Sequence, residues 1–162
     1  DMKRPTDLAI IVDLLNQSSA NKMPILIRIY AGDVDNDLGV IVKSGADGVI
    51  LVSDKIPIEA ALVSSRNYKD QMIILAEVNK LDSQKSAKLL ALGAAGIFLQ
   101  DKCNGNQLKE FGTELSETIG SLGVGKATDL SIEHLRTTSH KVASMTGISI
   151  AGYNSVLPMW RH

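Results

Sequence analysis

Apolar and polar residues alternate along this chain in two different periods. Four short runs are almost continuously apolar: "PILIRIY" (24–30), "GVILVS" (48–53), "MIILAEV" (72–78) and "GIFLQ" (96–100). Runs of this length, rich in Ile, Val and Leu, predict strands buried on both faces, as in a parallel sheet. Segments of helical spacing lie between them. Their starts are marked by Asp33, by Asp54 with Pro57 just inside, and by Asp82 or Ser83 as N-cap or first-turn residues. A helix over about Thr6–Gln17 precedes the first strand, and two more are expected after the last, at about Asn106–Leu122 and Ser131–Met145. Strand and helix alternate, which predicts parallel strands joined by right-handed crossovers.

The pattern also repeats. "GADGVILVSDK" (45–55) and "GAAGIFLQDK" (93–102) share Gly-Ala-x-Gly, an apolar strand and Asp-Lys, with one deletion between them. In each copy the first glycine suits a left-handed helix end and the second a tight entry into the sheet. Four such units cannot close an eight-stranded barrel, which takes about 250 residues. Residues 1–162 therefore read as one α/β domain, with half of a (β/α)8 barrel over 1–104 and a helical extension and tail over 105–162. The alternative is a small open, doubly wound sheet with helices on both faces. A half-barrel leaves sheet edges for a second copy, a partner subunit or the terminal helices to cover.

Composition narrows the field. With 44% hydrophobic residues in 162, the chain can bury one sizeable core without disulfides or metal. A formal charge of −1 offers no basic face for nucleic acid or anionic lipid. No apolar run reaches membrane-spanning length, and "DMKRPTD" has no apolar segment behind its basic residues, so neither a membrane span nor a signal peptide is expected. Cys103 is the single cysteine, which suits a reducing cytoplasm and excludes an internal disulfide.

Read together, "AGDVDNDLGVIVKSGADGVILV" and "SAKLLALGAAGIFL" resemble the later strands of the FMN-binding barrel in the large subunit of glutamate synthase, especially the archaeal-type synthase domain. The stretch "LKEFGTELSETIGSLGVGKATDLSIEHLRTTSHKVASMTGISIAG" is similar to the two-helix extension after that barrel's last strand. The resemblance runs from about Pro24 to Gly152 and covers the second half of the barrel domain. It implies FMN, an iron–sulfur cluster and synthesis of glutamate from 2-oxoglutarate and ammonia.

The residues depart from that pattern where the cofactors would be held. Consecutive glycines are expected to approach the flavin phosphate at the end of the strand matched by "MIILAEV", and Glu77, Val78 and Asn79 stand there. Gln100 and Asp101 replace a Gly and a small hydroxyl residue or Arg after the next strand. Side-chain bulk and a carboxylate oppose a phosphate grip at both turns. A glycine-rich flavin loop is expected after "GVILVS", where "DKIPIEAAL" enters a helix instead. A lone Cys103 cannot hold a cluster. Arg28 matches a basic position near the flavin.

Four residues at the C-terminal ends of strands, Arg28, Ser53, Glu77 and Gln100, are the candidate cofactor- or ligand-binding positions, on one shared rim. Arg28 and Glu77 are expected to pair as a structural ion pair. No catalytic residue and no metal ligand is assigned. His134 and His140, six apart on one expected helix, face different ways. "GSLGVGKAT" (120–128) lacks the strand and the Ser/Thr of a phosphate loop. "DVDND" (33–37) lacks the glycine and glutamate of a calcium loop, with Leu38 and Ser44 in those places. The apolar residues of the tail, Tyr153, Leu157, Met159 and Trp160, are expected to dock on the sheet edge or a partner.

The resulting expectation is a glutamate-synthase-related partial barrel that has lost its FMN and iron–sulfur motifs and serves as a non-catalytic accessory or binding subunit, with no cofactor. The alternative is an FMN-dependent oxidoreductase half completed by another chain. An enzyme acting on a small phosphate ligand is weaker still, for lack of a glycine-rich strand-to-helix turn.

Overall fold

A computed structural model describes residues 5–20 and 22–152. The apolar tail positions 153–160 lie outside the described residues. The elements follow the expected alternation: α1 (Pro5–Ser19), β1 (Leu26–Tyr30), α2 (Val34–Ser44), β2 (Gly48–Val52), α3 (Ile58–Ser64), β3 (Ile73–Val78), α4 (Ser83–Ala91), β4 (Gly96–Leu99) and α5 (Gly105–Ser121). The short elements β5 (Arg136–Thr137), α6 (His140–Thr146) and β6 (Ser149–Ile150) follow. The chain divides into two compact units, Asp1–Val78 with Ala95–Phe98, and Asn79–Ala94 with Leu99–His162.

The first unit is built on a four-stranded sheet in the order β1-β2-β3-β4. β1 and β2 run parallel, with Arg28 opposite Ile50, and β2 and β3 run parallel, with Gly48 opposite Ile73. Strand β2 is buried along its whole length. Val49, Leu51, Ile74 and Ala76 point to one face and form its core with Leu38 and Ile41 of α2 and Ile58 and Leu62 of α3.

Burial on both faces does not extend to β1 or β4. In β1, Leu26, Arg28 and Tyr30 are exposed while Ile27 and Ile29 are half-buried, and in β4 Phe98 is exposed. These are the outer strands of the sheet, and an outer strand has a neighbour on one side only.

The two Gly-Ala-x-Gly copies make the same turn. Gly45 ends α2 at φ 78° and Gly93 follows α4 at φ 113°, both in the left-handed region where a Cβ is strained. The residue before the second glycine donates to the neighbouring chain in each copy: Asp47 N to Ile25 O, just ahead of β1, at 3.0 Å, and Ala95 N to Ile74 O of β3 at 2.8 Å. Asp47 adds a bond that Ala95 cannot, since its Oδ2 accepts from Ile25 N at 2.7 Å. The second glycines differ. A Cβ on Gly48 would lie 2.4 Å from Ile73 O and 2.8 Å from Ile73 Cβ, whereas one on Gly96 would meet only Leu75 Cδ2, at 3.2 Å.

The expected helix starts have three outcomes. Asp82 is extended and its Oδ1 accepts from Lys85 N at 2.8 Å, a true cap of α4. Asp33 holds the N-cap position of α2, but at φ −87° and ψ 69° its side chain makes no capping bond. Asp54 lies ahead of the helix, and Pro57 itself takes the N-cap position of α3. We expect Asp82→Ala to cost about 1 kcal/mol and Asp33→Ala less than about 0.5 kcal/mol, read from urea unfolding midpoints. Equal losses would show that the Asp33 carboxylate caps in solution.

In the second unit, α4 and α5 pack through Ala87, Ala91 and Ile119, and Val124 and Leu130 close this core with Leu90, Leu115 and Leu135 against it. The single helix expected over Ser131–Met145 does not form. Residues 132–134 make a 3-10 turn, Arg136–Thr137 pair in parallel with Ser149–Ile150, and α6 starts afresh at His140. Local capping explains the break. His134 Nδ1 lies 3.1 Å from Ser131 N, and Ser139 Oγ accepts from Val142 N at 3.4 Å. Each serine closes off a helix start, and such residues compete with a continuous helix. Among the described residues, no helix is long and apolar enough to cross a membrane.

Candidate functional site

Of the four rim residues, the structure brings two together. Arg28 Nε donates to Glu77 Oε2 at 2.6 Å and its Nη2 to Glu77 Oε1 at 2.7 Å, a two-pronged ion pair. The strand register explains the reach. Arg28 stands opposite Ile50 on β2, so its side chain must cross that strand diagonally to meet β3. Tyr30, two residues on and on the same face, accepts from Arg28 Nη1 at 3.3 Å, and its ring centroid lies 5.3 Å from the guanidinium carbon. The Glu77 side chain is 3% exposed and that of Arg28 40%. The hydrogen bonds to Glu77, then those to Tyr30, hold the guanidinium proton even more firmly than usual.

Glu77 and Val78 lie inside β3, so the turn that follows begins at Asn79. Glu77 therefore spends its carboxylate on Arg28 within the sheet. Ser53, just after β2, is exposed and turns back on its own loop, donating to Ile56 O at 3.3 Å. Gln100 is exposed and belongs to the second unit.

A different set of residues lines a cavity of about 480 Å3, all of them in the second unit. Asn79, Lys80 and Leu81 come from the turn after β3, and Leu99, Asp101, Lys102 and Cys103 from the end of β4 and its loop. Gln107, Glu110, Phe111 and Glu114 complete it from α5, at spacings of three, one and three that place them on one helix face. Residues following the C-terminal ends of parallel strands are where α/β folds hold ligands. Of these, the sequence singled out Asn79 and Asp101 as obstructions and Cys103 as a lone thiol. The α5 stripe carried a signal in its helical spacing, but nothing in the sequence tied it to the two turns.

The helix starts beside the cavity are already occupied. Asn104 Oδ1 accepts from Gln107 N at 2.9 Å while Gln107 Oε1 accepts from Asn104 N at 3.0 Å, a reciprocal capping box at α5. Asp82 caps the start of α4 with a single bond from Lys85 N. A phosphate after β3 or β4 would be received by amides of these helix starts, and one of them at each start, Lys85 N and Gln107 N, is engaged by the chain's own capping side chain. The spacing Asn-x-x-Gln is a readable capping signal that the sequence reasoning passed over.

No protein-family model, curated protein or solved structure matches this chain. What the site can do is therefore set by its own chemistry. Lys80, Lys102, Asp101, Glu110 and Glu114 line it together with Leu81, Leu99 and Phe111, so the cavity offers mixed charge and apolar surface. Such a lining suits noncovalent binding. No histidine lines it among the described residues, so Cys103, free and exposed, has no imidazole there to serve as its base. Among the described residues, no group of three or more His, Cys, Asp or Glu is arranged to hold a metal ion.

The remaining motifs resolve into local structure. "GSLGVGKAT" runs from the end of α5 through Gly123, at φ 76°, into a 3-10 turn. "DVDND" forms the loop and first turn of α2, where burial and then the charge of Asp33 push the Asp37 carboxyl above its ordinary range. His140 is the first residue of α6 and is exposed.

Proposed function

We propose that the chain is a half-barrel related to the FMN-binding barrel of glutamate synthase, acting in the cytoplasm as a non-catalytic binding or accessory subunit. Strand order β1-β2-β3-β4 runs in one sense, as in a barrel wall. A doubly wound sheet reverses its order at a switch point, so this order favours the half-barrel over the open alternative.

The observation that carries the reading is the self-capping of α4 and α5 by Asp82 and by Asn104 with Gln107. A mononucleotide phosphate at either turn would have to displace these side chains, and at α4 it would meet a carboxylate. Arg28, matched to the basic position near the flavin, is held by Glu77. The barrel wall is kept and the phosphate grip is replaced.

Titration of the purified chain with FMN, followed by flavin fluorescence, is the test. We expect no saturable quenching at concentrations well above ordinary flavoprotein affinities. Stoichiometric binding would overturn the reading and favour an oxidoreductase half.

A further inference from the structure

Among the described residues, the sheet of the first unit has two unpaired edges and one face that is open at its outer strands, although Ile50, Val52 and Glu77 in the middle of that face are buried. Right-handed crossovers in one sense carry α2 and α3 to a single face of the strands they connect. On the other face Leu26, Tyr30, Ile73 and Phe98 are 36–58% exposed. A purely parallel sheet is almost always covered on both faces. β1 and β4 end the sheet, and neither has an outer neighbour among the described residues. Helix α1 adds a second apolar surface. It packs against α2, yet exposes Ile10, Ile11, Leu14 and Leu15 by 41–60%. α1 leads into β1 as α2 leads into β2, and among the described residues no strand precedes β1 for α1 to cover.

We infer that a second copy of this chain fills all of these positions at once. A two-fold axis along the strand direction sets β4 of each protomer beside β1 of the other, keeping every strand parallel. The same contact is made twice, so the ring closes. Four strands from each protomer give eight, the count at which a closed barrel is just filled by its own side chains. The partner's β4 then lies beside β1, beneath α1. The charges on the inner face do not oppose this union, because Arg28 and Glu77 neutralise each other within each copy. A standard interface buries ~800 Å2 per partner, and eight exposed apolar side chains, four on α1 and four on the sheet, are open to contribute to it.

This inference rests on the half-barrel reading. Its test is light scattering on the full chain with hydrogen exchange measured on the same samples. The expected result is twice the 17.4 kDa chain mass, with amides of β1 and β4 gaining protection as the dimer forms. Leu14→Lys and Phe98→Lys, both at exposed positions that leave the protomer's circular dichroism unchanged, raise the dissociation constant at least about tenfold. Met145→Lys, at an exposed position of the second unit, leaves it unaltered. A monomer at high micromolar concentration overturns the inference, as does a dimer in which β1 and β4 amides exchange as freely as in the monomer. Adding FMN to these samples separates the two readings. Flavin uptake by a dimer sinks the non-catalytic role and leaves the closure standing, whereas a flavin-free monomer does the reverse.

Discussion

Gly48→Ala is expected to lower the unfolding free energy by about 3 kcal/mol, and Gly96→Ala by less than about 1 kcal/mol, although the two glycines occupy the same place in the repeat. The new methyl at 48 would press on a backbone carbonyl and a Cβ of β3, at 2.4 and 2.8 Å, and on Leu26 Cδ2 at 2.9 Å. Backbone atoms of a paired strand cannot yield without breaking the ladder. At 96 the single close atom, Leu75 Cδ2, is the end of a flexible side chain. The entropy that alanine removes from the unfolded chain offsets part of the crowding there. Urea unfolding with an unchanged slope reads both variants. Losses of equal size would mean that β2 and β3 are not as close at Gly48 as described.

Arg28→Leu should be the more damaging way to remove the ion pair, and the double variant Arg28→Leu/Glu77→Leu the milder. Taking away the arginine strands the Glu77 carboxylate, whose side chain is 3% exposed. A charge buried and unpaired costs roughly 3 kcal/mol, the low end of the usual range being apt because Arg28's side of the pair is open to water. Replacing both partners by leucine removes the charge together with its need for a partner. Urea unfolding of the two variants at pH 7 checks this. A single variant no less stable than the double one at pH 7 would remove the pair from any account of the fold.

The parts of the fold legible in the sequence were those fixed by local pattern. β2 and β3 could be read because continuous apolar runs lie between glycine or polar turns, and Gly45 and Gly93 because left-handed turns demand them. The exposed face of β1 could not, since Leu-Ile-Arg-Ile-Tyr looks the same at an edge as in the middle of a sheet. Exposure there depends on what lies alongside. The broken segment 131–146 was misread because its apolar spacing is helical while Ser131 and Ser139 each restart the backbone. The Arg28–Glu77 pair was foreseeable from two strand ends sharing a rim. The cavity was not, because its lining comes from two turns and one helix face whose union only the folded chain supplies.

The interleaving of the two units along the chain sets an order of events during synthesis. Residues 79–94 belong to the second unit, yet they must leave the ribosome before Ala95–Phe98, which complete the first. Until then β3 is the outermost strand of a three-strand nascent sheet, with one edge open to any chaperone or neighbouring chain. A stop after Val78 would freeze the protein in that state, so truncations at this boundary should be insoluble even though they keep most of the first unit's residues.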